Sequence, residues 1–232
     1  MKQWIKGIVA LGLGVMATAV TADDADDISP YLGADYYYVQ MKAKNGWDAV
    51  FPNQYPGGAS IYVGTKFHQN FGLELAYDWS QHQERTWTLP AGSVFFQTVT
   101  TALSGTTRIE RNGGHLDVLT FLPVADCFEL IGSVGFGWVQ TKIEMRSLSL
   151  TPGATIESSA LASTAGKGSA VFRVGVGGLY MLTDMVGVRM KLGFEGTSTL
   201  KLKGNNAFVT AGYNEKAFKG STTLAVGAFF KF

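Results

Sequence analysis

The sequence predicts an all-β fold, an eight-stranded antiparallel β-barrel that crosses a membrane. Three observations carry the prediction. Apolar and polar residues alternate with period two in successive runs of about ten residues, as in strands with lipid on one face and a polar interior on the other. The connections between runs alternate between short and long, which gathers all the short turns on one rim. Composition agrees: the charged fraction is 16% with 29 glycines and 12% aromatics, against roughly 25% charged in soluble domains. Mean hydropathy is +0.11, too polar for a bundle of membrane helices.

Residues 1–22 read as a secretory signal. Lys2 and Lys6 supply the positive start, Gly7 to Val20 the apolar stretch, and Val20-Thr21-Ala22 the small residues before an acidic run at Asp23, Asp24, Asp26 and Asp27. The apolar stretch is shorter than the about 20 residues a spanning helix needs. Cleavage after Ala22 removes two lysines and no acid, taking the net charge from +1 to −1. A near-neutral chain without a basic block argues against nucleic acid as a partner. Residues 23–232 then form one barrel domain.

Eight strands are expected near residues 31–41, 59–69, 71–80, 114–124, 127–141, 169–182, 185–197 and 221–232. The first sets Leu32, Ala34, Tyr36 and Tyr38 outward against Gly33, Asp35 and Tyr37. The second sets Ile61, Val63, Thr65 and Phe67 against Tyr62, Gly64, Lys66 and His68. The third, FGLELAYDWS, is the clearest, with Phe71, Leu73, Leu75, Tyr77 and Trp79 on one face and Gly72, Glu74, Ala76, Asp78 and Ser80 on the other. The fourth turns Leu116, Val118 and Leu122 outward and His115, Asp117 and Phe121 inward. The fifth turns Phe128, Leu130, Val134, Phe136 and Trp138 outward, and the sixth Phe172, Val174, Val176 and Tyr180. The seventh sets Val186, Val188, Met190, Leu192 and Phe194 against Gly187, Arg189, Lys191, Gly193 and Glu195. In the eighth, Leu224, Val226, Ala228, Phe230 and Phe232 face lipid.

Gln69-Asn70, Ala125-Asp126 and Thr183-Asp184 are tight turns of turn-forming residues. The other connections, roughly 42–58, 81–113, 142–168 and 198–220, are long. Long connections are uncommon in compact domains unless functional or mobile. Both termini fall on the short-turn side and the strand count is even, so the first strand meets the last. Lipid requires that closure, since it offers no water to an open sheet edge.

The signal-like start, FGLELAYDWS after a tight turn and the terminal AVGAFFKF together resemble the eight-stranded outer-membrane β-barrel superfamily, which includes the transmembrane domain of OmpA, OmpX and opacity-type surface proteins. The resemblance implies a Gram-negative outer-membrane location, short periplasmic turns and long extracellular loops. It also implies that Leu224, Val226, Phe230 and Phe232 form an insertion signal read by the barrel-assembly machinery. Unlike OmpA itself, this sequence stops at the eighth strand, so no peptidoglycan-binding domain is expected.

The inward charges define the first candidate site, a lumen network of Lys66, Glu74, Asp117, Glu129, Arg173, Arg189, Lys191 and Glu195, with Asp35, Asp78 and His115 on the same face. Mixed signs in a narrow lumen imply pairing, because isolated buried charges are costly. The alternative is a narrow gated pore in which Arg173, Arg189 or Lys191 swaps between Glu74, Asp117 and Glu129. Catalysis is not expected. Ser80, His82 and Glu84 have suitable residue types, but not the His-x-Ser-Asn pattern expected of lipid A deacylases. Three scattered histidines and the lone Cys127 lack metal-ligand spacing, and no cofactor is expected. Cys127 reads as a small, semi-apolar strand-end residue.

The second candidate is the loop TWTLPAGSVFFQTVTTALSGTT, whose Trp87, Phe95 and Phe96 are unusually apolar for a solvated connection. They read either as a hairpin extending the barrel wall or as an adhesive patch. Tyr36, Tyr38, Tyr77, Trp79 and Trp138 are expected at the outer interface, and Phe71, Phe128, Phe230 and Phe232 near the short-turn rim. The function expected is that of a monomeric surface-interacting barrel, with membrane lipid, lipopolysaccharide and a host-surface ligand as partners.

Overall fold

The computed structural model describes residues 28–43, 54–80, 83–92, 94–95, 97–98, 102–150, 162–163, 168–196 and 218–232. The described elements are β1 (Ser29–Ala43), β2 (Gln54–His68), β3 (Phe71–Ser80), β4 (Gln83–Leu89), β5 (Val94–Phe95), β6 (Gln97–Thr98), β7 (Leu103–Ala125), β8 (Phe128–Leu150), β9 (Ala162–Ser163), β10 (Gly168–Met181), β11 (Val186–Glu195) and β12 (Phe218–Lys231). Eight of them form a closed antiparallel ring in the order β1, β2, β3, β7, β8, β10, β11, β12. The seam pairs β1 with β12 from Tyr31↔Lys231 to Ala43↔Phe218. Two more bonds pin the end of β12: Lys231 N–H donates to Met185 O at 2.7 Å, and Phe232 N–H to Pro30 O at 3.0 Å.

Alternation dictates which side chains face lipid. Along β11, Val186, Val188, Met190, Leu192 and Phe194 are exposed, while Gly187, Arg189 and Glu195 are buried. Along β8, Leu130, Val134, Phe136 and Trp138 project outward, Phe136 with 70% of its surface free. These large exposed apolar side chains recur on every barrel strand and form a continuous band. In water so large a band would be a liability; against acyl chains it is the solvated face. Aromatic residues share heights around the ring. Ala59 lies between Tyr36 and Trp79, and Gly114 between Tyr77 and Trp138. The Tyr77 and Trp79 rings stack at 6.2 Å, while at the other rim Phe230 and Phe232 meet edge to face at 5.0 Å.

The short turns are tied into the wall. Asn70 accepts from Phe121 N–H at 2.8 Å and donates through Nδ2 to Phe121 O at 2.9 Å. Thr183 Oγ1 accepts from the backbone N–H groups of Met185 and Val186, closing the turn between β10 and β11. The turn between β7 and β8 is Asp126–Cys127, one residue later than expected. Cys127 is exposed there rather than buried as a small hydrophobe, because the turn leaves no interior for it.

The main departure from expectation is the length of β7 and β8, each 23 residues. Above the Trp138 level they stay paired as far as Leu103↔Leu150. Residues 103–112 add roughly 33 Å of strand at ~3.3 Å per residue. β4 pairs along this extension from Gln83↔Ile109 to Leu89↔Leu103, in line with β3 lower down on the same edge of β7. β9 pairs with β8 on its far side. The segment read as a loop is therefore partly sheet.

Candidate functional site

The inward faces converge on a belt of charge across the barrel. Arg189 lies at its centre. Its Nε and Nη2 donate to Asp35 at 2.9, 3.1 and 2.5 Å, and its Nη1 donates to Glu74. The guanidinium also rests on the Tyr62 ring, 3.2 Å from its centroid, a cation–π contact strengthened by desolvation. Glu74, 0% exposed, also accepts from Tyr31 Oη at 3.1 Å and from Lys191 Nζ at 3.3 Å. Lys191 reaches Asp117 as well, at 3.4 Å. Arginine suits this position because its planar fork spans two carboxylates and stacks on a ring at once.

The belt continues toward the long-connection end. Arg173 donates to Asp78 at 2.9 Å and lies 3.4 Å from Glu195, which also accepts from Arg111 and from Ser221 Oγ at 3.1 Å. His115 sits between two carboxylates, with Nε2 3.4 Å from Asp78 and Nδ1 3.2 Å from Asp117. The second approach is not aligned as a hydrogen bond. Between these groups a cavity of about 40 Å³ remains. That admits a few waters, each needing at least ~10–15 Å³, and nothing larger.

Below the belt the interior becomes apolar. Tyr31, Tyr62, Ala76, Leu119, Phe121, Ile131 and Phe229 pack together, with Leu179 and Met181 against them. All of these but Ala76 line a second cavity of about 200 Å³ at the short-turn end. Lys66 and Glu129 pair at 2.7 Å on its margin, with the Lys66 ammonium 4.7 Å from the Phe121 ring centroid.

The sequence matches, over residues 8–214, the family described as outer membrane protein beta-barrel domain. The chain belongs to that family. It is accordingly an outer-membrane β-barrel protein. No curated protein sequence matches it. Among solved structures, a major outer membrane protein of Thermus thermophilus is similar at a TM-score of 0.54 and 12% identity, covering 88% of this chain and 99% of that one. The outer membrane protein OprG of Pseudomonas aeruginosa matches at 0.49 and 11% identity, covering 88% and 95%. The attachment invasion locus protein Ail of Yersinia pestis, solved with the heparin analogue sucrose octasulfate, matches at 0.44 and 12% identity, covering 89% and 98%. At these identities the likeness is one of fold.

In this outer-membrane barrel the inward charges named from sequence fall at two levels. Glu74, Asp117, Arg173, Arg189, Lys191 and Glu195 lie in the belt, while Lys66 and Glu129 pair apart from it near the short turns. Arg111 belongs to the belt and was not foreseen. Ser80 exchanges hydrogen bonds with the Arg111 backbone at 3.0 and 2.8 Å, so its hydroxyl is occupied structurally. His82 lies outside the described residues, as does Phe96, and nothing is described of the Phe95 side chain. Of the two readings of Trp87, its placement fits the hairpin that extends the wall and not an exposed patch. It is only 4% exposed and donates through Nε1 to Thr107 Oγ1 at 2.9 Å, packing β4 onto β7. In the terminal strand Leu224, Val226 and Phe232 are exposed and Phe230 is half-buried against Phe232.

Proposed function

We propose that this protein is a closed-lumen scaffold that presents its outer sheet extension and long connections to the cell surface, where they meet lipopolysaccharide and a host-surface ligand. One observation carries the reading: the belt from Asp35 to Glu195 crosses the interior and leaves only about 40 Å³ between its groups. A barrel so filled interacts at its ends rather than through its middle. The β4–β7–β8 sheet, standing beyond the Trp138 level, supplies a rigid base for the residues between Leu89 and Leu103. The alternation at Leu224, Val226, Phe230 and Phe232 supports recognition by the assembly machinery. The monomer is the working state in this reading, and residues 1–22 act as the export signal.

The functional test replaces residues 90–102 by a short Gly-Ser linker. The variant is expected to retain heat-modifiable gel mobility and to lose most binding of expressing cells to host cells. Wild-type binding by the folded variant removes the adhesive role. Orientation has a separate check in the native thiol. With short turns in the periplasm, Cys127 resists a 5-kDa maleimide-polyethylene glycol on intact cells and reacts once the outer membrane is permeabilised. Reaction on intact cells would invert the assignment.

A further inference from the structure

We infer that the basin at the short-turn end of the barrel is a binding site for a small neutral aromatic molecule, one or two rings carrying a single hydrogen-bonding substituent. Its walls are aromatic and already in the geometry rings prefer. Tyr31 meets Tyr62 at 6.2 Å and 65°, and Phe229 at 6.2 Å and 69°. A further ring among them gains the same edge-to-face contacts, with the pliable, polarisable Met181 at the side.

Glycines hold the basin open. A Cβ at Gly64 would overlap the Tyr31 ring, one at Gly33 the Tyr62 ring and one at Gly187 the Phe229 ring. Each ring therefore lies flat against the wall over a residue without a side chain, leaving the barrel axis clear. With a larger residue at these positions the rings would swing inward and fill the space, as side chains do in other small barrels. Polar anchors hold them in place: Tyr62 Oη donates to Ala228 O at 3.2 Å and Tyr31 Oη to Glu74.

Volume and polarity define the occupant. The cavity of about 200 Å³ exceeds the ~150 Å³ that suffices for benzene in an engineered apolar cavity. It falls short of the roughly 300 Å³ at which drug-sized pockets begin, so an acyl chain of membrane-lipid length does not fit. Arg189 closes the ceiling with its fork committed to Asp35 and Glu74. The mouth offers the donors Lys66 and Lys231 beside the acceptors Asp126 and Glu129. A hydroxyl or N–H substituent can use either kind, whereas a charged ligand would have to compete with the Lys66–Glu129 pair. The site is independent of the loop-based reading above, since it lies at the opposite end of the barrel.

Fluorine NMR of 4-fluorophenol with the refolded barrel in nanodiscs tests the assignment, with protein-free nanodiscs as the partition control. The wild type is expected to give a bound resonance displaced by unlabelled indole. Leu179→Trp, which fills the basin, weakens binding at least tenfold, and Gly187→Ala, which drives Phe229 inward, weakens it severalfold. Val134→Ala on the lipid face leaves it unchanged. Folding of every variant is read from heat-modifiable mobility, and Met181→Phe replaces Leu179→Trp if that protein does not fold. A signal identical in the protein-free control, or indifferent to the filling variants, overturns the site.

Discussion

Replacing Arg189 by methionine is expected to lower the stability of the refolded barrel by about 3–5 kcal/mol, the cost of leaving a buried charge without its partner. Arg189 is 5% exposed and makes three hydrogen bonds to Asp35 besides its bond to Glu74. Its loss strands Asp35, while Glu74 keeps Lys191 and Tyr31. Urea unfolding followed by gel mobility reads the change as a lowered midpoint. Adding Asp35→Asn to the methionine variant removes the stranded charge and should recover a large part of the loss, because replacing both members of a buried pair costs far less than breaking it. Arg189→Lys should fall between, since an ammonium neither spans both carboxylates nor stacks as a plane on Tyr62. An unchanged midpoint in the single variant, or a double variant no better than the single, removes Arg189 from the centre of the belt.

Met190→Arg should cost about 2–4 kcal/mol by the same assay in lipid, the range for arginine on the lipid face near the bilayer midplane. Met190 is 57% exposed and occupies the middle of the outward row from Val186 to Phe194. Its neighbour Lys191 carries a cation at nearly the same depth, but inward, between Glu74 and Asp117. Adjacent positions thus tolerate charge in opposite ways. Thr222→Arg, on the same outer surface but toward the long-connection end opposite Phe194, should cost no more than about 1 kcal/mol. Equal losses at the two positions would mean that the band does not contact hydrocarbon.

The lipid-facing fold was readable because one physical contrast, hydrocarbon outside and polar atoms inside, acts on every second residue. Glu74, Asp117 and Arg189 could be turned inward from the apolar residues on either side of them. Their partners could not be assigned that way. Alternation sets facing, not height, and Glu129, grouped with Glu74 and Asp117 as an exchange partner, proved to belong to Lys66 at another level. The contrast also fades where the outside becomes water. Ser104, Thr106, Arg108 and Glu110 make the outward face of upper β7 polar, so the apolar alternation marks the strand only from near Gly114 and does not carry Arg111 into the belt. For Trp87 the same fading leaves the hairpin and the adhesive patch both open in the sequence. Its burial depends on β7 lying alongside, which no local pattern records. The short-turn basin was harder still to foresee, because it depends on rings from β1, β2 and β12 lying over glycines of neighbouring strands.

The seam between β1 and β12 governs the order of events in assembly. Every other ring contact joins consecutive ring strands, but Tyr31 waits for Lys231, two hundred positions later. Such a late, distant contact slows folding, because chain entropy is lost before the pairing rewards it. Until β12 arrives, β1 and β11 each present an unpaired edge, and in hydrocarbon each unsatisfied backbone group costs several kcal/mol. A seven-stranded sheet is therefore no resting point within the bilayer. Insertion and closure become a single cooperative step, and a partly built wall has to be sheltered from both water and lipid until its final strand arrives.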